Sequence, residues 1–552
     1  MKTYMQKMKP WGAALALWVA AGLMAAGCST DKVLVGPPEE PHETPPPGET
    51  MPPEEEEEEP PPPAPEGWLY GRLMDATTGR PVEGATVATV SAGNAHTSTE
   101  GGVFFLPLPA EETLLLRINA PGYAPTSQHV RVKEGLASFA EFFLLPFISP
   151  ETFLAQEEIV MQRDGAKVVF PAGVLDTQAL EVTVSLAWLD AENPNHLAAF
   201  PGGFRTNQGE VLESFGAIAL EVREAETGKL LNLKAGAEHF AEVTVVASPH
   251  TPGETPLWVY DEEAGLWSQE PGEGFACEGV GTERRCKAKL PHLSWWNIDL
   301  PIPLTCLKAC AVDADNRPVA GVYLEARGVE YRSASAQLSG ADGCACLQVR
   351  PGLELDLTAT LLGGISETKR LTPQGEAPSC SPGCLNEVSL RLSPPRFQAL
   401  LSWGATPADL DAHLIGPCSD ASSPACTEGR FHVYYGRLGA LSEAPFAALL
   451  EDVRSGFGAE ILSLSACAEG SYRYSVFSDN APLLASSQAK VIILLPGGEL
   501  KTYSIPSSNP GGHPQWVVGE LSCLGPSCQC TWNPINAFMP KDLVFVAKPP
   551  PA

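Results

Sequence analysis

The chain has 552 residues, with 36 Lys and Arg against 66 Asp and Glu and a formal net charge of −30. So large an acidic excess argues against nucleic acid as a partner, because phosphate binding relies on clustered Lys and Arg; divalent cations and cationic partners stay open. A single core is also excluded at this length, and the region past residue 66 should divide into three or four domains.

Lys2, Lys7 and Lys9 precede an apolar run from Trp11 to Ala26 that stops at Gly27-Cys28-Ser29. That is the pattern of an export signal over 1–27, not of a membrane span. Ala25-Ala26-Gly27-Cys28 resembles a bacterial lipobox, with Ala25 where the motif usually has Leu. The resemblance implies cleavage before Cys28, a lipid on its thiol and, through Ser29, sorting to the outer membrane of a Gram-negative cell. An ordinary cleaved signal peptide is the competing reading. Residues 28–66 are rich in Pro and Glu and end in EEEEEEPPPPAPE. They cannot bury enough apolar surface to offset the entropy of ordering, so they read as a disordered stalk. At about 3.1 Å per residue in the polyproline limit, the stalk spans on the order of 100 Å. Its charge is −11 (eleven Glu and Asp31 against Lys32), which leaves −19 on the rest of the chain.

Fifteen cysteines less Cys28 leave fourteen, an even number that suits a disulfide framework in an oxidising compartment. They fall in even groups: Cys277 and Cys286; six from Cys306 to Cys384; Cys418 and Cys426; and Cys467, Cys523, Cys528 and Cys530. Cys277, Cys286, Cys418 and Cys426 are the disulfide candidates, and the group of six allows fifteen pairings. Zinc ligation is the alternative at Cys344-Ala345-Cys346 and Cys528-Gln529-Cys530, where two thiolates stand close together.

Beyond the stalk, runs such as TVATVS, EVTVSLAWL, AEVTVVAS and KVIILL alternate or are β-branched, and Gly, Pro, Asn and Asp separate them. The expectation is a mostly β protein of several antiparallel β-sandwich domains in a row. EAPFAALLEDV, near Ala447, is the best helix candidate. GRLMDATTGRPVEG at 71–84 returns as ACAVDADNRPVAG at 309–321, and TSTEGGVFFLPL at 97–108 returns as LSGADGCACLQV at 338–349. Both copies resemble the carboxypeptidase regulatory-like domain, a transthyretin-like sandwich, which implies such domains over 67–147 and 304–394. In the second copy Cys344 and Cys346 stand where apolar core residues are expected.

Between them, DGAKVVFPAGVL, LWVYDEEAGLW and HLSWWNIDLP follow in an order similar to the ectodomain of cartilage intermediate layer protein, implying a β-rich domain over 148–303. Trp258, Trp267 and Trp296 read as core there, or as an aromatic ligand platform. The last domain, 395–552, carries Trp403, Asp409-Leu410-Asp411, His413, Asp452, Gly456, Gly458, Glu460, Gly470, Tyr472 and Val476 in a spacing that resembles the YfaP-type domain. In a strand, Asp409, Asp411 and His413 share one face and Leu410, Ala412 and Leu414 the other. Two readings follow. Asp409, Asp411, Asp452 and Glu460 converge as hard oxygen ligands for calcium, with His413 outside the set; or the polar face is simply the wet side of a half-exposed strand.

HFAE at His239–Glu242 spells H-x-x-E, but on a strand those two residues point to opposite faces, and no P-loop, G-x-S-x-G or H-E-x-x-H pattern occurs. The sequence therefore reads as a non-catalytic, lipid-anchored envelope protein, periplasmic or surface-exposed, that presents sandwich modules to a protein or glycan. The alternatives are an envelope hydrolase with a dispersed site and a purely structural spacer.

Overall fold

The computed structural model describes residues 66–540, apart from 91–94, 99–100, 135–136, 237, 362–366, 378–382, 421, 455, 457, 496–499 and 526–528. The export signal, Cys28 and nearly all of the stalk lie outside the described residues. Strands dominate, helices are limited to single turns such as Pro194–Ala198 and Ala481–Leu484, and no described helix is long and apolar enough to cross a membrane.

The internal repeat is a repeat of structure. In the first copy, strand Glu66–Asp75 lies between Val103–Pro109 and Ala137–Leu144, antiparallel to the former and parallel to the latter. In the second, Thr305–Val312 lies in the same way between Cys344–Val349 and Glu387–Arg391. Each three-stranded sheet is accompanied by a four-stranded one of matching order. Alternate residues such as Leu69, Leu73, Phe104, Leu106, Leu116 and Ile118 fill the core of the first copy.

The shared sequence sets the shared corners. The Asp75 carboxylate accepts from the amides of Thr77 and Thr78 at 2.8 and 2.7 Å, and that of Asp313 from Asp315 and Arg317 at 2.8 and 2.9 Å. Such Asx turns hold the chain reversal without further side chains. Gly102 and Gly343 adopt φ of +70° and +74°, and a Cβ there would stand 2.4 Å from the Leu73 carbonyl oxygen or 2.6 Å from that of Ala311. Only glycine allows so close an approach in that conformation.

Cys344 and Cys346 do not stand in the core. Strand Cys344–Val349 turns Ala345, Leu347 and Val349 inward and the two cysteines to the opposite face. Period-2 geometry forces this, because Gly343 fixes the register one residue before the strand. Cys344 is bonded to Cys310, and Cys306 to Cys384.

Residues between the copies form one ten-stranded sheet, antiparallel throughout, that curls around its own core of residues such as Val168, Leu186, Ile218 and Trp296. Trp258 and Trp267 are also buried, so all three tryptophans pack as core. Cys277 pairs with Cys286 across strands Leu266–Glu278 and Arg285–Leu290.

Residues 397–539 form two six-stranded sheets. One runs through Ala447–Glu451, Ala459–Leu464, Phe397–Ser402 and Lys490–Leu494; the other is centred on Asp411–Pro417, Gly470–Phe477 and Gln515–Leu524. The expected helix near Ala447 is the strand Ala447–Glu451. Its apolar run has no alternation because both faces are covered: Ala447 and Leu449 face the sandwich core, and Leu450 faces another module. A short run buried on both sides cannot be told from a helix by periodicity. That other module is the first copy. Its outer face, Trp68, Tyr70, Val103, Phe105 and Phe139, packs on Leu400, Ala459, Ile461 and Ile492.

Candidate cation site at one end of the last sandwich

Leu410, just before strand Asp411–Pro417, and Ala412 and Leu414 on it enter the core, as alternation requires. Its opposite face is not open to water. Asp411 is only 8% exposed. His413 packs against His432, with ring centroids 4.9 Å apart, and against Phe477 at 5.8 Å, while His432 stacks on Tyr434 at 4.3 Å. The wet-face reading is therefore corrected. Residues of Arg430–Val433 and Gly470–Phe477, the strands on either side, roof this face with rings. The imidazoles of His413 and His432 share a hydrogen bond, Nδ1 to Nε2 at 2.9 Å. Burial, with Arg437 nearby, pushes His432 down to about 4, so it is neutral at physiological pH.

Glu460 comes from the opposite sheet. On strand Ala459–Leu464 it shares the inward side with Leu462 and Leu464, which places a carboxylate between the sheets. It is fully buried; Oε2 accepts from the Ala412 amide at 2.7 Å, and Oε1 is buried with no hydrogen-bond partner. Burial raises its pKa well above the carboxylate range, the Ala412 amide opposes this, and the nearby charges of Asp411, Asp452 and Asp409 raise it further. Asp409 is half-buried, and its Oδ1 also lacks a partner. Burial raises its pKa, then Asp452; Arg454 opposes, and Asp479 adds to the rise. The Arg454 guanidinium lies 3.3 Å from the Asp452 carboxylate.

The structure thus brings Asp409, Asp411, Asp452 and Glu460 into one electrostatic neighbourhood, although among the described residues no three acidic residues place one oxygen each within 4.8 Å of one another. Asp479 joins them. It follows Phe477, which pairs with Asp411, and its place beside the cluster depends on that pairing, which the spacing of the motif does not reveal. Tyr474 contributes a buried hydroxyl without a partner near Glu460.

The other motif residues shape the end of the sandwich. A Cβ on Gly458 would stand 2.1 Å from the Trp403 ring, and one on Gly456 would stand 2.3 Å from the Ala405 carbonyl oxygen. The missing side chains let backbone pass this close, at Gly458 to Trp403 and at Gly456 to Ala405.

Sulfur offers no competing metal site among the described residues. The Sγ atoms of Cys467, Cys523 and Cys530 lie within 4.8 Å of one another, but Cys523 is bonded to Cys530, and Cys467 is also in a disulfide. Cys346 is disulfide-bonded as well, so zinc at Cys344 and Cys346 is ruled out; Cys528 lies outside the described residues. Cys418 is bonded to Cys426. The H-x-x-E residues stay apart from all of this: the His239 ring bonds the Ala235 carbonyl, and Glu242 sits on strand Ala241–Val246.

No curated protein matches the chain. Among solved structures, the chain is similar to the protein SAV2460 of unknown function, with 17% identity and a TM-score of 0.21 over 27% of this chain and 92% of that one. It is also similar to a streptococcal ancillary pilin, with 10% identity and a TM-score of 0.16 over 47% and 90%. A third is BcpA, the major pilin subunit of Bacillus cereus, with 8% identity and a TM-score of 0.14 over 59% and 99%. In sequence, residues 69–144, which form the first of the two repeated sandwiches, match the carboxypeptidase regulatory-like domain family.

Proposed function

We propose that the protein is a non-catalytic, lipid-anchored component of the cell envelope whose sandwich modules bind a protein or glycan, and that its last module holds calcium through Asp409, Asp411, Asp452 and Glu460. The lipid on Cys28 would fix it to the outer membrane. The disulfides support an oxidising compartment. The observation that carries the cation reading is Glu460, a fully buried carboxylate with one oxygen unpartnered and three further carboxylates around it. Hard oxygens in this number suit calcium, which accepts six to eight ligands in flexible geometry and would offset their mutual repulsion.

The test is thermal unfolding of the chain in chelator and in millimolar calcium, beside the Asp409→Asn/Asp411→Asn double variant. A ligand that binds only the folded state raises the melting temperature by mass action. Calcium should raise it in the parent and not in the variant. No shift in the parent removes calcium from the proposal.

A further inference from the structure

A cavity of about 770 Å³ lies where the two repeated copies meet the domain between them. Its wall includes Gln128 from the first copy, Gly203 and Arg205 from the middle domain, and Ser335 and Gln337 from the second copy. The turn that delivers Arg205 is unusual. Gly202, Gly203 and Phe204 take φ of +70°, +64° and +63° in succession. Glycine is required at the first of these, because a Cβ on Gly202 would stand 2.6 Å from the Tyr260 ring and 2.7 Å from the Gly265 carbonyl oxygen. Phe204, a bulky residue in the left-handed region, is held there by its ring, which stacks on Phe200 with centroids 4.1 Å apart. A backbone held in a disfavoured conformation beside a cavity is a recurring mark of a binding site.

Arg205 leaves this turn half-buried, and among the described residues its guanidinium makes no hydrogen bond or ion pair. The other cations of the cavity have partners. Arg131 and Lys133 reach Glu111 at 3.1 and 2.8 Å, and Arg327 reaches Glu325 at 2.9 Å. In a chain with 66 acidic residues, a half-buried arginine left without one is a poor arrangement unless an anion arrives from outside. Burial correspondingly lowers the proton affinity of the group.

We propose that this cavity binds an acidic saccharide, a sugar carrying a carboxylate, with the carboxylate on Arg205. The guanidinium fork matches a carboxylate in two parallel hydrogen bonds. The Gln337 amide offers both donors and an acceptor for sugar hydroxyls; Gln128, whose Nε2 donates to the Phe200 carbonyl, adds its Oε1, and Ser335, which accepts from the Gln348 amide, adds its hydroxyl proton, and the cavity is large enough for one or two sugar rings. The carboxylates of Glu141 and Glu325 share the wall, Glu325 paired with Arg327, so the cavity suits a single negative charge better than a phosphate dianion. The site shares no residue with the candidate cation site and requires no calcium.

The experiment is calorimetric titration of the chain in chelator with trigalacturonate, with neutral maltotriose, with citrate and with glucose 6-phosphate, repeated on Arg205→Gln and Arg205→Lys. Trigalacturonate should bind the parent, Arg205→Gln should weaken it at least tenfold, and Arg205→Lys should retain part of the affinity. Arg205→Gln should also melt no lower than the parent, since it breaks no internal bond; a marked fall would make Arg205 a structural residue and overturn the proposal. Equal binding by Arg205→Gln, equal binding of maltotriose, preference for citrate or the sugar phosphate, or no binding of trigalacturonate at millimolar concentration would each overturn it too.

Discussion

Tyr70 and Lys308 hold the same place in two copies of one fold, and their surroundings are opposite. Tyr70 pairs across its sheet with Phe105 and Phe139, and Lys308 with Cys346 and Glu387. The Tyr70 face is aromatic and buried against Leu400, Ile461 and Ile492. On the Lys308 face an ion pair to Glu387 at 3.1 Å and the cysteine bridges take those positions, and the face meets water. The two copies thus use one lattice of positions either for docking or for stapling.

Tyr70→Lys should accordingly cost about 3–5 kcal/mol, since it strands a charge in an apolar interface. Lys308→Tyr should change stability by within about 0.5 kcal/mol, as surface substitutions usually do. Tyr70→Phe should be neutral or stabilising, because the buried hydroxyl has no partner to lose. Denaturant unfolding of the three variants checks all of this.

The staples should matter most where no partner covers the sheet. The Cys310 to Cys344 bridge closes a loop with a sequence separation of 34, for which chain entropy gives about 4 kcal/mol. The double variant Cys310→Ser/Cys344→Ser should lose amide-exchange protection in strands Thr305–Val312 and Cys344–Val349. Strand Glu66–Asp75 should stay protected.

Glu460→Gln removes a buried carboxylate and keeps the shape and the acceptor that meets Ala412. In chelator at neutral pH the variant should melt higher than the parent, and it should show no calcium response. Differential scanning calorimetry with and without calcium reads both effects. A variant that melts lower in chelator would mean that the charge of Glu460 stabilises the fold by itself.

Asp299 gives a pH dependence whose sign is fixed. It is fully buried at the edge of the middle domain, bonded to Asn297, and one of its oxygens is without a partner. Burial raises its pKa well above the ordinary carboxylate range, Ser214 opposes this, and Glu213 adds to the rise. The folded state therefore holds this proton to higher pH than the unfolded chain does. The stability it confers is complete below the unfolded carboxylate pKa of about 4 and is lost as pH rises toward the folded value, by up to about 1.4 kcal/mol per pH unit. Asp299→Asn should flatten that slope in unfolding free energies measured from pH 4 to pH 8.

How much of this is legible in the sequence depends on whether a feature is local. The repeat is readable because Asp75 and Asp313 bond amides within a few residues, and Gly102 and Gly343 stand at positive φ, where the residue type itself is the signal. Ser98 and Ser339 occupy matched positions and make matched bonds, each Oγ accepting one amide and donating to one carbonyl, at 2.9 and 2.9 Å and at 3.0 and 2.8 Å. They are discoverable from the aligned copies but carry no signal alone. Glu460 stands out as a motif residue, but its burial against Ala412 depends on the packing of two sheets. Asp479 and Arg205 are invisible, since their neighbours arrive from strands far along the chain. Strand Ala447–Glu451 reads as a helix for the same reason: its second buried face is supplied by a module more than 300 residues earlier.

The docking of the first module on the last also sets an order of events. The chain is made from its amino end, so Trp68, Tyr70, Phe105 and Phe139 emerge long before the strands that cover them, Phe397–Ser402, Ala459–Leu464 and Lys490–Leu494. For that interval the newly folded sandwich carries a bare aromatic face, the kind of surface that draws chains together. Completion of the first fold waits on synthesis of the last, and any truncation of the final module leaves the protein permanently in its adhesive, unfinished form.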